Sequence, residues 1–156
     1  MSLKSIPIVI RLHSHQIESA DAMKDLAIDK HRIDKALLKQ PATYAWYAAL
    51  YSEAEAKSAE LHERQERMES KLFREYMRKV GKSRRVSDVK HAIMKDKDYL
   101  RLRDRVLLWD NSARVLKHIV RAFDQRLSVL QSYSANQRRD WRAEDEINSK
   151  KHHRER

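Results

Sequence analysis

From Leu102 to Trp141 the chain reads LRDRVLLWDNSARVLKHIVRAFDQRLSVLQSYSANQRRDW. Within it Leu102, Val106, Trp109, Ala113, Leu116, Val120, Phe123, Leu127, Leu130, Ser134, Gln137 and Trp141 follow one another at alternating spacings of four and three. Ten of these twelve are apolar, Ser134 is small, and Gln137 alone is strongly polar. Neither Pro nor Gly interrupts the run. A narrow stripe of this period is helical and buries itself against other helices. Forty residues of helix span roughly 60 Å at about 1.5 Å per residue, well beyond the helices of an ordinary compact domain. The stretch predicts an all-α fold built as a long helical hairpin with coiled-coil-like seams, a self-association surface, or both.

Composition agrees. A length of 156 residues suggests one domain. One Gly and two Pro leave little material for β-turns. The absence of Cys excludes disulfides and thiolate metal sites, and fits a reducing, cytoplasmic setting. No apolar run approaches the ~20 residues of a membrane span. The short apolar patch Ile6 to Leu12 is split by Pro7 and Arg11, which makes a poor signal peptide.

Charge is the second signal. Lys and Arg number 34 against 23 Asp and Glu, a net charge of +11. Such a chain attracts polyanions, nucleic acid or anionic membrane. Over half of the excess lies in residues 70–90, where Lys71, Arg74, Arg78, Lys79, Lys82, Arg84, Arg85 and Lys90 face only Glu75 and Asp88, a local balance of +6.

Outward from the heptad run, five parts are expected. Residues 1–13 form an extended arm in which Ile8, Ile10 and Leu12 alternate, the pattern of a short strand or of an arm clasping a neighbour. A first helix covers about 14–39, capped by Ser14 or Ser19. Pro41 then breaks the pattern or opens the next helix, as Pro is tolerated at a first helical position. The second long helix runs over about 41–79 on the stripe Tyr44, Tyr47, Tyr51, Ala54, Ser58, Leu61, Gln65, Met68, Leu72. Gly81 stops it, because glycine readily takes the left-handed conformation that closes a helix C-terminus. A loop over Val80 to Val86, a short helix over 87–95 and a last helix over 98–141, capped by Asp96 or Asp98, follow. Residues 142–156 read as a polar, frayed tail, so the helical domain is expected over 14–141.

Catalytic signatures are missing. A di-iron bundle needs Glu-x-x-His pairs on facing helices, and none is present. The pairs His13 with His15 and His152 with His153 lack carboxylates at ligand spacing and read as surface residues. One glycine cannot build a phosphate loop, and there is no Gly-x-Ser-x-Gly. No catalytic residue, metal or cofactor is therefore expected, and the chain reads as a protein that is not an enzyme.

The basic stretch is the strongest functional candidate. Lys71, Arg74 and Arg78 recur every three or four residues and share a helix face. Lys79, Lys82, Arg84, Arg85 and Lys90 carry the charge onward. Phe73 and Tyr76 are interleaved, and aromatic rings can stack on unpaired bases. The competing reading is structural, since cations near a helix C-terminus suit its dipole. Charge density and the whole-chain excess favour polyanion binding. A second cationic set, Arg101, Arg103, Arg105, Arg114, Lys117, Arg121 and Arg126, is interspersed with Asp104, Asp110 and Asp124 and reads as an ordinary exterior face. Trp109 and Trp141 fall on the seam and are expected to pack, whereas Trp46 lies off its stripe and can face a neighbouring subunit.

Three segments resemble the UvsY family of phage recombination mediators. The charged helix from Tyr44 ends in Lys71-Leu72-Phe73-Arg74-Glu75-Tyr76, similar to a Lys-Ala-Arg-Leu-Asp-Tyr-like stretch of the family. The run from Val89 through Asp96, Lys97 and Asp98 to Leu100 resembles its short helix and the entry to its last helix. Leu107 to Arg139, with Leu116, Phe123 to Arg126 and the ending Gln137, Arg138, Arg139, resembles its terminal amphipathic helix. The likeness covers roughly residues 44–140 and leaves out the N-terminal forty. Lys71 carries over directly. Phe73 stands where the family has Arg, so Arg74 corresponds one place late. The resemblance implies a ring-like homo-oligomer that binds single-stranded DNA without catalysing a reaction. Its partners would be a RecA-type recombinase and single-strand-binding protein, which it helps the recombinase displace. It also implies the cytoplasm of a host cell for a phage-encoded chain.

Two other classes compete. One is a structural coiled-coil scaffold or adaptor whose charges only solvate it. The other is an amphipathic helix on a membrane surface, which the narrowness of the seam disfavours.

Overall fold

The structure, a computed structural model, describes residues 9–11, 16–80 and 85–154, with side chains at 17, 20–79 and 85–145. It is essentially all-helical. Two three-residue strands, β1 (Val9–Arg11) and β2 (Gln16–Glu18), precede the helices α1 (Ser19–Leu26), α2 (Ile33–Val80), α3 (Val86–Ile93) and α4 (Lys97–Arg154). The strands pair antiparallel, with Ile10 opposite Ile17. Ile17 is buried, while Ile8, Leu12 and the side chain of Ile10 lie outside the described residues.

The first helix differs from the expected 14–39. Its span holds β2, the eight residues of α1, an irregular link at 27–32 and the start of α2. The link is a turn closed on Asp29: the His31 amide donates to Asp29 Oδ1 at 2.9 Å and the Arg32 amide to the Asp29 carbonyl at 3.1 Å. Asx turns of this kind compete with helix, and they do so here. Conversely, α2 runs straight through Pro41. An internal Pro costs about 3 kcal/mol or more. Tertiary anchoring offsets that cost, because Gln40 just before it is buried and bonded to the Phe123 carbonyl, and Ile33 at the start of the helix is buried. The tail also differs, since α4 continues to Arg154. The same absence of Pro and Gly that carries the seam extends to that residue.

By its contacts the chain forms two compact units, Met1–Ala48 with His118–Arg156, and Ala49–Lys117.

In the first unit Tyr47 stacks on Phe123, with ring centroids 5.0 Å apart and planes 27° from parallel. Both rings are fully buried, as is Leu130. The Tyr47 hydroxyl donates to Asp25 Oδ2 at 3.0 Å. Burial, and after it the bond to Asp25, raises the phenol well above its ordinary value. Trp46 meets Tyr47 edge-on at 4.7 Å and is 43% exposed. The Gln40 amide donates to the Phe123 carbonyl at 2.8 Å and accepts from Arg126 Nη1. Arg126 also donates to the Leu26 carbonyl at 3.2 Å and the Ala27 carbonyl at 3.3 Å. These are open carbonyls at the end of α1, so an arginine a hundred residues away caps that helix. Burial lowers the guanidinium's pKa, opposed by the charge of Asp25.

In the second unit α2 and α4 run antiparallel: Ser58 meets Asp110 while Gln65, further along α2, meets Tyr99, earlier on α4. Leu50, Ala54, Leu61, Leu102, Val106, Trp109 and Leu116 are buried there. Asp110 collects Ser58 Oγ and His62 Nε2, the latter at 3.1 Å. Ser58 and Gln65, which dilute the seam in sequence, are thus its polar cross-ties. Asp96 caps α4, accepting from the amides of Asp98 and Tyr99 at 3.0 Å each.

Two seam positions depart from the heptad reading. Leu127 is 36% exposed and Trp141 61% exposed. Past Phe123, Arg126 is half-buried and Leu127 exposed, while Leu130 remains buried. Val120 is half-buried.

Candidate nucleic-acid interface

The basic stretch falls in the second unit, on the last turns of α2 and on α3. The apolar period decides which way its side chains point. Val89, Ile93 and Tyr99 form a buried cluster against which Met68, Leu72, Phe73, Tyr76 and Met77 pack. With those positions turned inward, Lys71, Arg74 and Arg78 are left exposed on the opposite side of α2, and Lys79 is exposed in its last turn. On α3, Val89 and Ile93 are buried while Lys90 is exposed, and exposed Arg85 sits at its N-cap. Lys82 and Arg84 lie outside the described residues.

These cations are weakly engaged. Lys71 Nζ is 3.9 Å from Glu75 Oε1, a pair with the lysine side chain 72% exposed. Exposed pairs of this kind hold little energy and yield readily to a competing anion. Arg74 Nε donates to the Ser70 carbonyl at 3.2 Å, which leaves its charge unneutralised. Arg78, Lys79, Arg85 and Lys90 form no ion pair among the described residues. Flexible cations without carboxylate partners can meet phosphates, each contact adding to a salt-sensitive attraction.

Phe73 and Tyr76, expected as possible base-stacking rings, are half-buried against the Val89 cluster. Packing α3 onto α2 is the role the geometry gives them. The second cationic set is dispersed: Arg101 pairs with Asp98 at 3.3 Å and Arg103 with Asp104 at 3.7 Å. Arg126 departs from that set as an interior cap, a role no spacing in the sequence announces. Among the described residues no group of His, Asp and Glu could hold a metal ion. Among them, too, no helix is long and apolar enough to cross a membrane.

The chain therefore has the fold of an all-helical protein in which two long helices are joined through one short helix that carries exposed cations. No protein-family model matches it, and no curated protein matches it in sequence. Among solved structures it is similar to the bacteriophage T4 recombination mediator protein UvsY, with a TM-score of 0.68 at 12% identity, over 78% of this chain and 94% of that one. At this identity the likeness is one of fold, and it is the fold that the resemblance of the three sequence segments implied.

Proposed function

We propose that this chain is a recombination mediator. It binds single-stranded DNA through Lys71, Arg74, Arg78, Lys79, Lys82, Arg84, Arg85 and Lys90. It then helps a RecA-type recombinase assemble on strands covered by single-strand-binding protein. The observation that carries this reading is the pairing of a fold shared with a recombination mediator with a cationic helix end whose charges, apart from the weak Lys71–Glu75 pair, lack carboxylate partners among the described residues. No reaction is catalysed in this reading; the work is done by binding.

A homo-oligomer, ring-like as the resemblance implies, repeats the cationic surface once per subunit. Many weak phosphate contacts then act together, and avidity exceeds any single contact by orders of magnitude. Affinity falls steeply with salt as condensed counterions return to the strand. Sequence preference is slight, because phosphate contacts read no base edges.

The test is a salt titration of a fluorescent single-stranded oligonucleotide, with particle mass followed by light scattering. The variant Lys71→Glu, Arg74→Glu, Lys82→Glu, Arg85→Glu is expected to keep its helicity and mass and to lose binding. Unchanged affinity in that variant overturns the site. A wild-type chain that ignores the oligonucleotide leaves a structural coiled-coil scaffold as the better account.

A further inference from the structure

A second cationic surface lies in the first unit. The end of α1, the 27–32 link, the first turns of α2 and Arg126 of α4 surround an open depression of about 240 Å³. Lys24, Arg32, Lys35, Lys39 and Arg126 line it, against Asp25 and Asp29. Cations from three separate stretches of chain thus converge on one concave surface with a positive balance.

The partners of these residues sort them. Lys24 is paired with Asp21 at 3.2 Å and Arg32 with Asp29 at 3.7 Å. Arg126 is held by carbonyl oxygens and Gln40, so it is a fixed positive charge in the wall with its donors already engaged. Lys35 and Lys39 are exposed and form no ion pair among the described residues. Lys35 and Lys39 are four apart, which places them as neighbours about 5–6 Å apart on one face of α2, and Arg32 stands in the link just before that helix. No aromatic side chain lines the depression. It offers point charges without a stacking platform, which is chemistry for phosphate and not for bases.

We infer that this depression is a second contact for the phosphodiester backbone of single-stranded DNA, with Lys35 and Lys39 as the residues that meet phosphate. Arg126 supplies a standing positive potential behind them, and the Arg32–Asp29 and Lys24–Asp21 pairs hold the rim. The inference rests on the proposed DNA-binding role and extends the footprint beyond the end of α2. A longer footprint gives each subunit more phosphates to neutralise, and so a steeper salt dependence than the α2–α3 cations supply alone.

The test compares the wild-type chain with Lys35→Glu/Lys39→Glu in the oligonucleotide titration, across salt concentrations. An Arg114→Glu/Lys117→Glu control makes the same charge change at two exposed cations outside both surfaces. Removing two phosphate contacts is expected to weaken binding roughly tenfold at low salt and to lower the slope of log affinity against log salt by about 1.4. The control is expected to move neither quantity by more than a third as much. Circular dichroism checks folding, and Lys35→Gln/Lys39→Gln, which adds no repulsion to the fold, replaces the reversal if helicity is lost. A Lys35/Lys39 variant that matches wild type, or a control that loses as much, overturns the depression as a contact while leaving the α2–α3 site standing. A wild-type chain that does not bind the strand overturns both.

Discussion

Arg126 Nη1 donates to Gln40 Oε1, and Gln40 in turn donates from Nε2 to the Phe123 carbonyl at 2.8 Å. This relay ties the N-terminal part of α2 to α4, and through the carbonyls of Leu26 and Ala27 it reaches the end of α1. Charged donors to buried acceptors are worth about 1.5–3 kcal/mol each, reduced where water can substitute. Arg126→Met is expected to lower stability by about 2 kcal/mol. The check is urea unfolding with the slope unchanged, set beside the exposed Arg121→Met as reference. Equal losses in the two variants would show that the relay contributes nothing.

The departure from the heptad at Leu127 makes a second prediction. Leu130 is fully buried and Leu127 is 36% exposed, although the stripe assigns both to the seam. Leu130→Ala should cost about 2–5 kcal/mol, as large-to-small changes in a core do. Leu127→Ala should cost under about 1 kcal/mol if it meets only neighbours within this chain. A large loss at Leu127 that grows with protein concentration would point to burial between copies.

Tyr47 predicts an alkaline dependence. Its folded phenol titrates above the ordinary value of 10.0, through burial and then Asp25. Above that value the unfolded chain releases the proton while the folded chain keeps it. The stability this group contributes is complete below pH 10.0 and declines as pH rises from there toward the folded value. The decline approaches about 1.4 kcal/mol per pH unit for one proton. Tyr47→Phe removes the titration, so the advantage of wild type over the variant should shrink between pH 10 and 11. A constant difference across that window would sink the assignment.

Phe73 separates packing from stacking. It lies half-buried against Val89 and Ile93. Phe73→Leu, which conserves most of the packing, is expected to leave oligonucleotide affinity within twofold of wild type. Ile93→Ala is expected to cost about 2–5 kcal/mol and to weaken DNA binding. The weakening follows because α3 positions Arg85 and Lys90. A strong loss of affinity in Phe73→Leu, with stability intact, would restore the ring to base stacking.

Much of the helical content is legible in residue order because it is local. An uninterrupted three-four spacing without Pro or Gly forms helix wherever it stands, and α4 follows that rule to Arg154. The Asp96 cap is local in the same sense, since a carboxylate three residues before Tyr99 reaches the amides beside it. The exposure of Lys71, Arg74 and Arg78 follows from the same period, which turns Leu72 and Tyr76 inward.

Where local and long-range terms conflict, residue order alone could not choose. Pro41 argues against helix, yet α2 passes through it, with Gln40 bonded to the distant Phe123 carbonyl and Ile33 buried. Arg126 reads as a surface cation, yet it caps α1, because only packing brings it to the carbonyls of Leu26 and Ala27. The charge, the period and the missing catalytic motifs were properties of the sequence, each needing only near neighbours. Which cation stays exposed and which holds a helix end was decided by the tertiary structure, because that depends on contacts about a hundred residues apart along the chain.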